Sequence, residues 1–262
     1  MQERKVKSNW DKEANFGLKE NTRGNYLSGL FIKAIDIGIG YLPREKEKIS
    51  LLKTDLWNEG ADFKKNVLGN YANEKFNLFG IDLSTEVIKA LKVGAVKPVQ
   101  ANISALPFKV SSMDILLDLS TIDHLPFSAT ENVINQYRRA LKPEGILILV
   151  FDSWGLFWKL YFIYLKNIRK REVNVFGRSE IKNQYIFPPK DMLKSLKICR
   201  FDILEEYSID WFGWAWNRLT FRFLKNFQEL NLNKLINLEY SWFSKYLKIL
   251  AKQYVVIAKN NK

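Results

Sequence analysis

The chain has 262 residues, of which 47% are hydrophobic and 14% aromatic, and this composition allows a substantial core and excludes a disordered chain. The chain has 41 lysines and arginines but only 28 aspartates and glutamates. This excess of positive charge could attract an anionic partner, either nucleic acid or a lipid surface, but a solvated surface rich in lysine explains it more simply. A single cysteine excludes an internal disulfide framework. The start is charged and no apolar run reaches roughly 18 residues, so we expect neither a secretory signal nor a bilayer span, and these features together predict a cytoplasmic protein.

The first apolar segment, residues 26–42, carries apolar residues on most faces and predicts a helix. It ends in the sequence AIDIGIG (residues 34–40), which looks like the glycine-rich turn of a nucleotide-binding fold. A charged stretch then precedes ISLLKTDL (residues 49–56), which predicts a buried strand but has no glycine where such a turn would follow. Either segment is therefore a candidate for the first strand and loop of a cofactor site.

Strands and helices alternate from residue 76 to residue 152. An apolar run ends at Asp82, and the helix that follows is predicted to begin at Ser84 or Thr85 and to end at Gly94. Further strand-like segments (KPVQ, MDILLDLS and ILILVFD) and a helix with asparagine or serine caps (SATENVINQYRRAL) complete the pattern. This spacing predicts a parallel sheet with helices on both faces.

The pattern changes after Asp152. Residues 154–171 form an aromatic helix candidate that ends in a basic cluster, and residues 211–227 repeat this aromatic and basic character. Between them, residues 187–209 predict a helix and a strand, and QYVVIAK near the end predicts a closing strand. We interpret the two aromatic segments as insertions between the last strands.

From Leu52 to Asp152 the chain resembles the class I S-adenosylmethionine-dependent methyltransferases. The likeness lies in GIDLS, ANISALPF, MDILLDLSTIDHL and ALKPEGILILV, which occur in the family's order, while QYVVIAK looks like the family's last strand. LLKTDLW and STIDHL look like a subgroup with a variant first loop. The resemblance implies one domain with a doubly wound, Rossmann-like α/β sheet of seven strands. It divides the chain into an N-terminal helical extension (residues 1–48), a cofactor-binding core (49–152) and substrate-cap insertions with the last strands (153–262).

Counting residues decides between the two candidate loops. A strand–helix–strand unit of roughly 20 to 30 residues should separate the ends of the first two strands. Lys53 lies 29 residues before Asp82, whereas Asp36, within AIDIGIG, lies 46 residues before it. We therefore interpret LLKTDLWNEG as the cofactor strand and loop, and AIDIGIG as the end of the N-terminal helix.

The resemblance places an S-adenosylmethionine site at the carboxyl ends of adjacent strands. Asp82 would accept hydrogen bonds from the ribose hydroxyls, or alternatively cap the next helix. Asn102 occupies the place of an acid near the adenine, or alternatively forms a turn. The cofactor-binding residues that the resemblance implies are Lys53, Thr54, Asp55, Asp82, Leu83, Asn102, Ile103, Leu119, Ser120 and Thr121.

The segment after the fourth predicted strand adds two catalytic candidates, Asp123 and His124, the one histidine of the chain. A histidine of near-neutral pKa suits proton removal from an acceptor, and Asp123 would orient it. The alternatives are a histidine that packs behind the site and an aspartate that caps a turn. One histidine and one cysteine cannot make a usual zinc site, so we predict no metal.

These features predict methyl transfer from S-adenosylmethionine to a small or lipid- or sugar-linked acceptor. The basic cluster of Lys166, Arg169, Lys170 and Arg171 suits peripheral contact with an anionic membrane, with a cap helix over the substrate pocket as the alternative. Two competing hypotheses remain. The net charge of +13 motivates an RNA methyltransferase, and the glycine-free loop motivates a non-catalytic binding protein.

Overall fold

The computed structural model describes residues 22–56, 59, 66–91, 94–153, 155–156, 163–164, 167, 185–211, 232–246 and 251–262. Its seven strands form one sheet. They are β1 (Ile49–Lys53), β2 (Phe76–Asp82), β3 (Val96–Gln100), β4 (Met113–Leu119), β5 (Leu141–Asp152), β6 (Phe201–Ile209) and β7 (Gln253–Asn260). The strand order is β3-β2-β1-β4-β5-β7-β6.

The predicted seven-stranded, doubly wound sheet is confirmed, with one change of direction. Strands β1 to β5 pair in parallel, whereas β7 is antiparallel to both β5 and β6. The parallel arrangement predicted from residues 76–152 is therefore confirmed, and β7 enters the sheet from the opposite end. The closing strand predicted from QYVVIAK is this β7.

Helices cover both faces of the sheet. They are α1 (Thr22–Ile39), α2 (Thr85–Ala90), α3 (Thr130–Ala140), α4 (Pro189–Ile198) and α5 (Leu232–Glu239). One apolar layer joins α1 and α5 to the sheet and includes Leu30 and Ile35, and the opposite layer joins α3 and α4 and includes Val133 and Ile134. All four of these side chains are fully buried, and each such burial stabilises the fold by about 1.5–3 kcal/mol.

The helix ends agree only partly with the sequence predictions. Ser84 caps α2 as predicted, because its Oγ accepts from the Val87 amide at 3.3 Å. However, α2 ends at Ala90 rather than at Gly94, since Leu91 leaves the helical region and buries its side chain. No serine or asparagine caps α3, which Ala129 precedes directly in a 3₁₀ turn (Phe127–Ala129).

The sequence AIDIGIG ends α1, as the spacing predicted, and its Gly38 packs against the sheet. A Cβ atom at Gly38 would lie 2.6 Å from Ile148 Cδ1, so the glycine allows α1 to approach β5 closely. The helix stops at Ile39, where the Gly40 amide donates to the Asp36 carbonyl at 3.2 Å.

The carboxyl ends of the parallel strands meet along one edge of the sheet, which we call the carboxyl edge. Lys53 pairs with Gly80 in register, and Asp82 with Gln100. Farther along, Asp152 pairs with Gln253 at the start of β7, and Gln253 pairs with Ile209 at the end of β6. Open α/β sheets bind their ligands at this edge.

Several predictions fall partly or wholly outside the described residues. The division of the chain at residues 48 and 152 stays a prediction. The structure describes only residues 155–156, 163–164 and 167 of the aromatic segment 154–171, and only Trp211 of the segment 211–227. Among the residues that the structure describes, no helix is long and apolar enough to cross a bilayer.

Candidate active site

The loop after β1 is held together by a buried ion pair. The Lys53 side chain points into the protein, where its Nζ lies 3.3 Å from Glu59 Oε1 and also donates to the Asp55 backbone carbonyl. Glu59 accepts a second hydrogen bond from the Leu68 amide at 3.0 Å. Burial alone would lower the pKa of Lys53, but Glu59 and Asp55 outweigh it and raise that pKa. A buried charge pair thus links Lys53, at the end of β1, to Glu59 in the segment that follows it.

Asp82 joins this loop to the end of β2. Its Oδ1 accepts from the Ser84 amide at 2.8 Å, and its Oδ2 accepts from the Leu56 amide at 3.2 Å. Because Ser84 itself caps α2, the alternative role of Asp82 as the helix cap does not hold. Leu56 is fully buried and packs over Gly80, where any Cβ would collide with it. The loop after β1 therefore lies directly against β2.

The Asp82 carboxyl is half-buried, and its protonation is sensitive to its surroundings. Burial and the neighbouring Asp55 carboxylate raise the pKa of Asp82 to about 7, while the Ser84 and Leu56 amides and Lys53 oppose this shift. Each carboxylate oxygen has one amide hydrogen bond and a further lone pair for a ligand hydroxyl. Asp82 can therefore accept additional hydrogen bonds at the carboxyl edge.

The turn after β4 is built on a buried aspartate that the sequence analysis did not single out. Asp118 accepts from the Thr121 amide at 2.8 Å, the Ile122 amide at 3.2 Å and the Tyr137 hydroxyl at 2.6 Å. Burial raises the pKa of Asp118 to about 6, although these hydrogen bonds oppose the shift. The signal available in the sequence was the presence of two aspartates, Asp114 and Asp118, inside the otherwise apolar strand MDILLDL. This turn brings Thr121 Oγ1 within 3.0 Å of Thr54 Oγ1, across from β1.

Ser120 begins the turn in a left-handed conformation, with φ of 66°. Its amide donates to the Val150 carbonyl at 2.9 Å, and its Oγ accepts from Gln253 Nε2 at 3.0 Å. Such a φ is uncommon for a residue with a side chain and is maintained here by contacts with both β5 and β7. Gln253 is a second residue of this edge that the sequence analysis missed, because nothing in the sequence indicates which strand lies beside β5.

Asp123 and His124 lie next to each other but are not hydrogen bonded. The distance from His124 Nε2 to Asp123 Oδ1 is 3.9 Å, and the histidine side chain is 24% exposed. Asp123 is fully buried, and its Oδ2 accepts from the Asp152 amide at 3.2 Å. Lys252 Nζ approaches Asp152 Oδ1 at 3.7 Å. Burial, with Asp152 and Asp118 nearby, raises the pKa of Asp123 well above its usual value.

Asn102 forms a turn, which is one of the two alternatives considered for it. Its Oδ1 accepts from the Ser104 amide at 2.9 Å, and its backbone carbonyl accepts from Ala105 at 3.0 Å. The preceding Ala101 amide donates to the Asp82 carbonyl at 3.0 Å, which places the turn beside Asp82. A role of Asn102 toward adenine stays a prediction.

The predicted site residues fall into two groups by burial. The half-buried ones are Asp55, Asp82, Leu83, Asn102, Ser120, Thr121 and His124. The buried ones are Lys53, Thr54, Ile103, Leu119 and Asp123. The half-buried group is mainly polar and comes from the ends of four strands, so it forms one row of accessible polar groups along the carboxyl edge. Within the described residues, no group of three or more histidine, cysteine and acidic side chains could hold a metal ion.

Comparisons with known proteins agree with this architecture. A family model described as a methyltransferase domain matches residues 64–149. An uncharacterized protein of Methanocaldococcus jannaschii is 35% identical over 75 residues, 29% of this chain, and the match spans only 32% of that relative's length.

Solved structures with the same fold cover most of the chain. A SAM-dependent methyltransferase of Methanosarcina mazei has a TM-score of 0.53 and 21% identity, over 85% of this chain and 96% of that one. The geranyl diphosphate C-methyltransferase of Streptomyces coelicolor A3(2), solved with Mg²⁺, geranyl diphosphate and S-adenosyl-L-homocysteine, has a TM-score of 0.55 and 11% identity, over 87% of this chain and 78% of that one. At these identities the likeness establishes a common fold.

Proposed function

We propose that this chain, a class I S-adenosylmethionine-dependent methyltransferase, transfers a methyl group to a small or lipid- or sugar-linked acceptor at the carboxyl edge of its sheet. The observation that carries the proposal is the position of Asp82, whose two oxygens bind amides from the loops after β1 and β2 and still have lone pairs for a ligand. When bound, S-adenosylmethionine supplies a methyl group that its sulfonium already activates for attack.

The residues of the carboxyl edge suit the parts of such a cofactor. Asp82 would accept from the ribose hydroxyls, with Leu83, Asn102 and Ile103 beside the adenine. The half-buried Asp55 carboxylate, with Thr54, would receive the ammonium of the amino-acid end. Lys53 would act through the loop, because its ammonium is engaged with Glu59. Leu119, Ser120 and Thr121 would lie nearest the methyl group.

The protein's contribution to the reaction is mainly alignment and exclusion of water. The residues at the strand ends would hold the acceptor atom beside the methyl group, and transfer of that group would leave S-adenosylhomocysteine as the other product. A hydroxyl or amine acceptor must also lose a proton, and His124 is the base that the edge offers. Its partly exposed imidazole is accessible to an acceptor, with Asp123 behind it.

Two considerations support a lipid-linked or otherwise apolar acceptor. The Streptomyces enzyme with this fold was solved with geranyl diphosphate, an isoprenoid. The chain itself is 14% aromatic, and an aromatic pocket can hold acyl or isoprenoid chains and stack sugars.

RNA methylation is the second candidate because of the net charge of +13, and steep salt dependence of RNA binding would favour it.

Calorimetry with S-adenosylhomocysteine tests the cofactor site directly. We expect the wild-type chain to bind it and Asp82→Asn to weaken binding roughly 100-fold, because about 3 kcal/mol is lost when hydrogen bonds to a charged acceptor become bonds to a neutral one. Asp202→Asn is the matched control, since this exposed aspartate lies at the start of β6, at the opposite edge of the sheet. No heat from the wild-type chain would instead favour the non-catalytic binding protein.

A further inference from the structure

Residues 232–246 lie in the connection between the end of β6 and the start of β7. The end of β6 (Ile209) and the start of β7 (Gln253) pair in register, and Gln253 pairs with Asp152 at the end of β5. Both ends of this connection therefore belong to the carboxyl edge. The connection contains α5 and a 3₁₀ helix (Trp242–Lys245).

The inner side of this connection is fixed to the body of the protein. Glu239 is fully buried and accepts from the Asp210 amide at 2.6 Å, from the Trp211 amide at 3.1 Å and from the Tyr26 hydroxyl of α1. The next residue, Tyr240, donates from its hydroxyl to the Leu30 carbonyl at 2.7 Å. These buried bonds hold the connection against both α1 and β6.

The outer side presents large apolar side chains to solvent. Leu238, Trp242 and Tyr246 follow one another at four-residue intervals and are 41%, 64% and 72% exposed. The rings of Trp242 and Tyr246 meet edge to face, with centroids 5.4 Å apart. We call these three residues the Trp242 ridge. Three large apolar side chains this exposed within nine residues, next to a helix that buried hydrogen bonds hold in place, are unusual unless something covers them.

The segment of the chain that carries the Trp242 ridge is basic in sequence, within a chain whose net charge is +13. Residues 232–252 contain four lysines and one acid, Glu239, whose carboxyl is buried. Exposed Lys234 lies four residues before Leu238 and so continues the same spacing. Tryptophan and tyrosine beside lysines are typical of side chains at the surface of an anionic bilayer.

We propose that the Trp242 ridge docks the carboxyl edge onto an anionic lipid membrane, from which the acceptor enters the site. The part about the acceptor rests on the proposed methyl transfer, whereas docking does not. A second copy of the chain is a poorer occupant, because the ridge exposes only about 400 Å² and a stable interface buries about 800 Å² per partner. RNA is also a poorer occupant, because an aliphatic Leu238 cannot stack on bases as aromatic rings do.

Sedimentation with vesicles tests the docking. We expect the wild-type chain to pellet with phosphatidylcholine vesicles that contain phosphatidylglycerol and to pellet less with phosphatidylcholine alone. The double variant Trp242→Ser with Tyr246→Ser should bind the anionic vesicles roughly tenfold more weakly or worse. Val110→Ser is the matched control, because Val110 is 60% exposed but lies just before β4, at the opposite edge.

Several outcomes would overturn the docking proposal. These are a wild-type chain that stays in the supernatant, a double variant that pellets like the wild type, and a Val110→Ser variant that loses binding equally. A double variant whose loss is confined to self-association or to RNA binding would assign the ridge to that other partner.

The affinity of the same variants for S-adenosylhomocysteine, measured by calorimetry, should be unchanged. If the wild-type chain binds vesicles but not S-adenosylhomocysteine, the methyl-transfer function fails while the docking surface stands.

Discussion

In the half of the carboxyl edge formed by β1 and β2, Asp82 is half-buried and its two oxygens bind amides of two different loops. In the half formed by β4 and β5, Asp123 is fully buried, accepts from the Asp152 amide and lies among other carboxyl groups. The first arrangement leaves an acid accessible to a ligand, and the second uses an acid to connect strand ends. The same residue type is thus accessible in one half, where we propose that it binds a ligand, and structural in the other, and the difference between them is burial.

The buried ion pair of Lys53 and Glu59 belongs to the architecture of the first half. Both side chains are almost completely buried, at 5% and 3% exposure, in the loop where glycines would let the backbone approach a ligand. The charges hold the loop in place and Asp82 binds its Leu56 amide. A cofactor bound here would therefore lie beside residues 53–56 and 59, which buried contacts already hold to one another and to β2.

Removing one partner of this ion pair should have the largest effect on stability. Lys53→Met leaves Glu59 buried without its counter-charge, and we expect a loss of about 3–5 kcal/mol in the free energy of unfolding. The double variant Lys53→Met with Glu59→Gln should recover most of that loss, because glutamine can still accept from the Leu68 amide. Urea unfolding followed by circular dichroism measures both.

The exposed pair of Lys89 and Glu86 provides the control for this experiment. Its atoms are 3.1 Å apart, similar to the buried pair, but the side chains are 66% and 51% exposed. Lys89→Met should therefore change the free energy of unfolding by only about 0–0.5 kcal/mol. Equal losses from Lys53→Met and Lys89→Met would mean that the buried pair does not hold the loop.

Periodicity and spacing predicted most of the fold. Alternating apolar runs located β1 to β5, and the distance from Lys53 to Asp82 identified β1 correctly against the more glycine-rich AIDIGIG. What the sequence could not predict was the reversal of β7, because an apolar strand has the same pattern in either direction. It also could not predict that Gly38 serves helix packing, since the contact with Ile148 is more than a hundred residues away in sequence.

The sequence predicted the residues of the candidate site that lie at strand ends, but not the residues that hold them in place. Resemblance indicated Asp82 and Thr121, which do lie along one edge. It gave no indication of Glu59 or Gln253, whose partners are set by tertiary packing of a loop and of a distant strand. Polar residues directly after a strand can be recognised from the local sequence. Residues that hold them in place can be recognised only once the strand order is known.

The pH dependence of stability should distinguish Asp123 from an exposed acid. A carboxyl group whose pKa is raised by folding stabilises the protein at low pH, and this contribution is lost as the pH rises toward the raised pKa. Asp152, Asp118, His124 and Lys252 face this group, and burial is the main cause of the shift. Asp123→Asn cannot lose a proton, so it should escape this loss while its amide oxygen still accepts from the Asp152 amide.

Urea unfolding at two pH values measures the difference. As the pH rises from the ordinary pKa of an aspartate toward the raised pKa of Asp123, the wild-type chain should lose stability relative to Asp123→Asn. The exposed Asp202→Asn variant should follow the wild-type curve. If Asp123→Asn follows it too, or is simply less stable at every pH, the Asp123 carboxyl is ionised in the folded protein and its burial does not govern its charge.

The smallest expected effect, on cofactor affinity, is the one that most sharply separates the two halves of the edge. Because the pKa of Asp82 is about 7 and the ionised carboxylate is the better acceptor for ribose hydroxyls, affinity for S-adenosylhomocysteine should rise with pH. The increase should be roughly tenfold between about pH 6 and about pH 8, and calorimetry in two buffers of different ionisation enthalpy should detect the released proton.

Asp55→Asn removes the like charge that helps to raise the pKa of Asp82, so it should move the midpoint of the affinity curve to lower pH. Asp123→Asn should leave the midpoint where it is, since it acts in the other half. A midpoint that follows Asp123 rather than Asp55 would mean that recognition and architecture are not divided between the halves as their burial indicates.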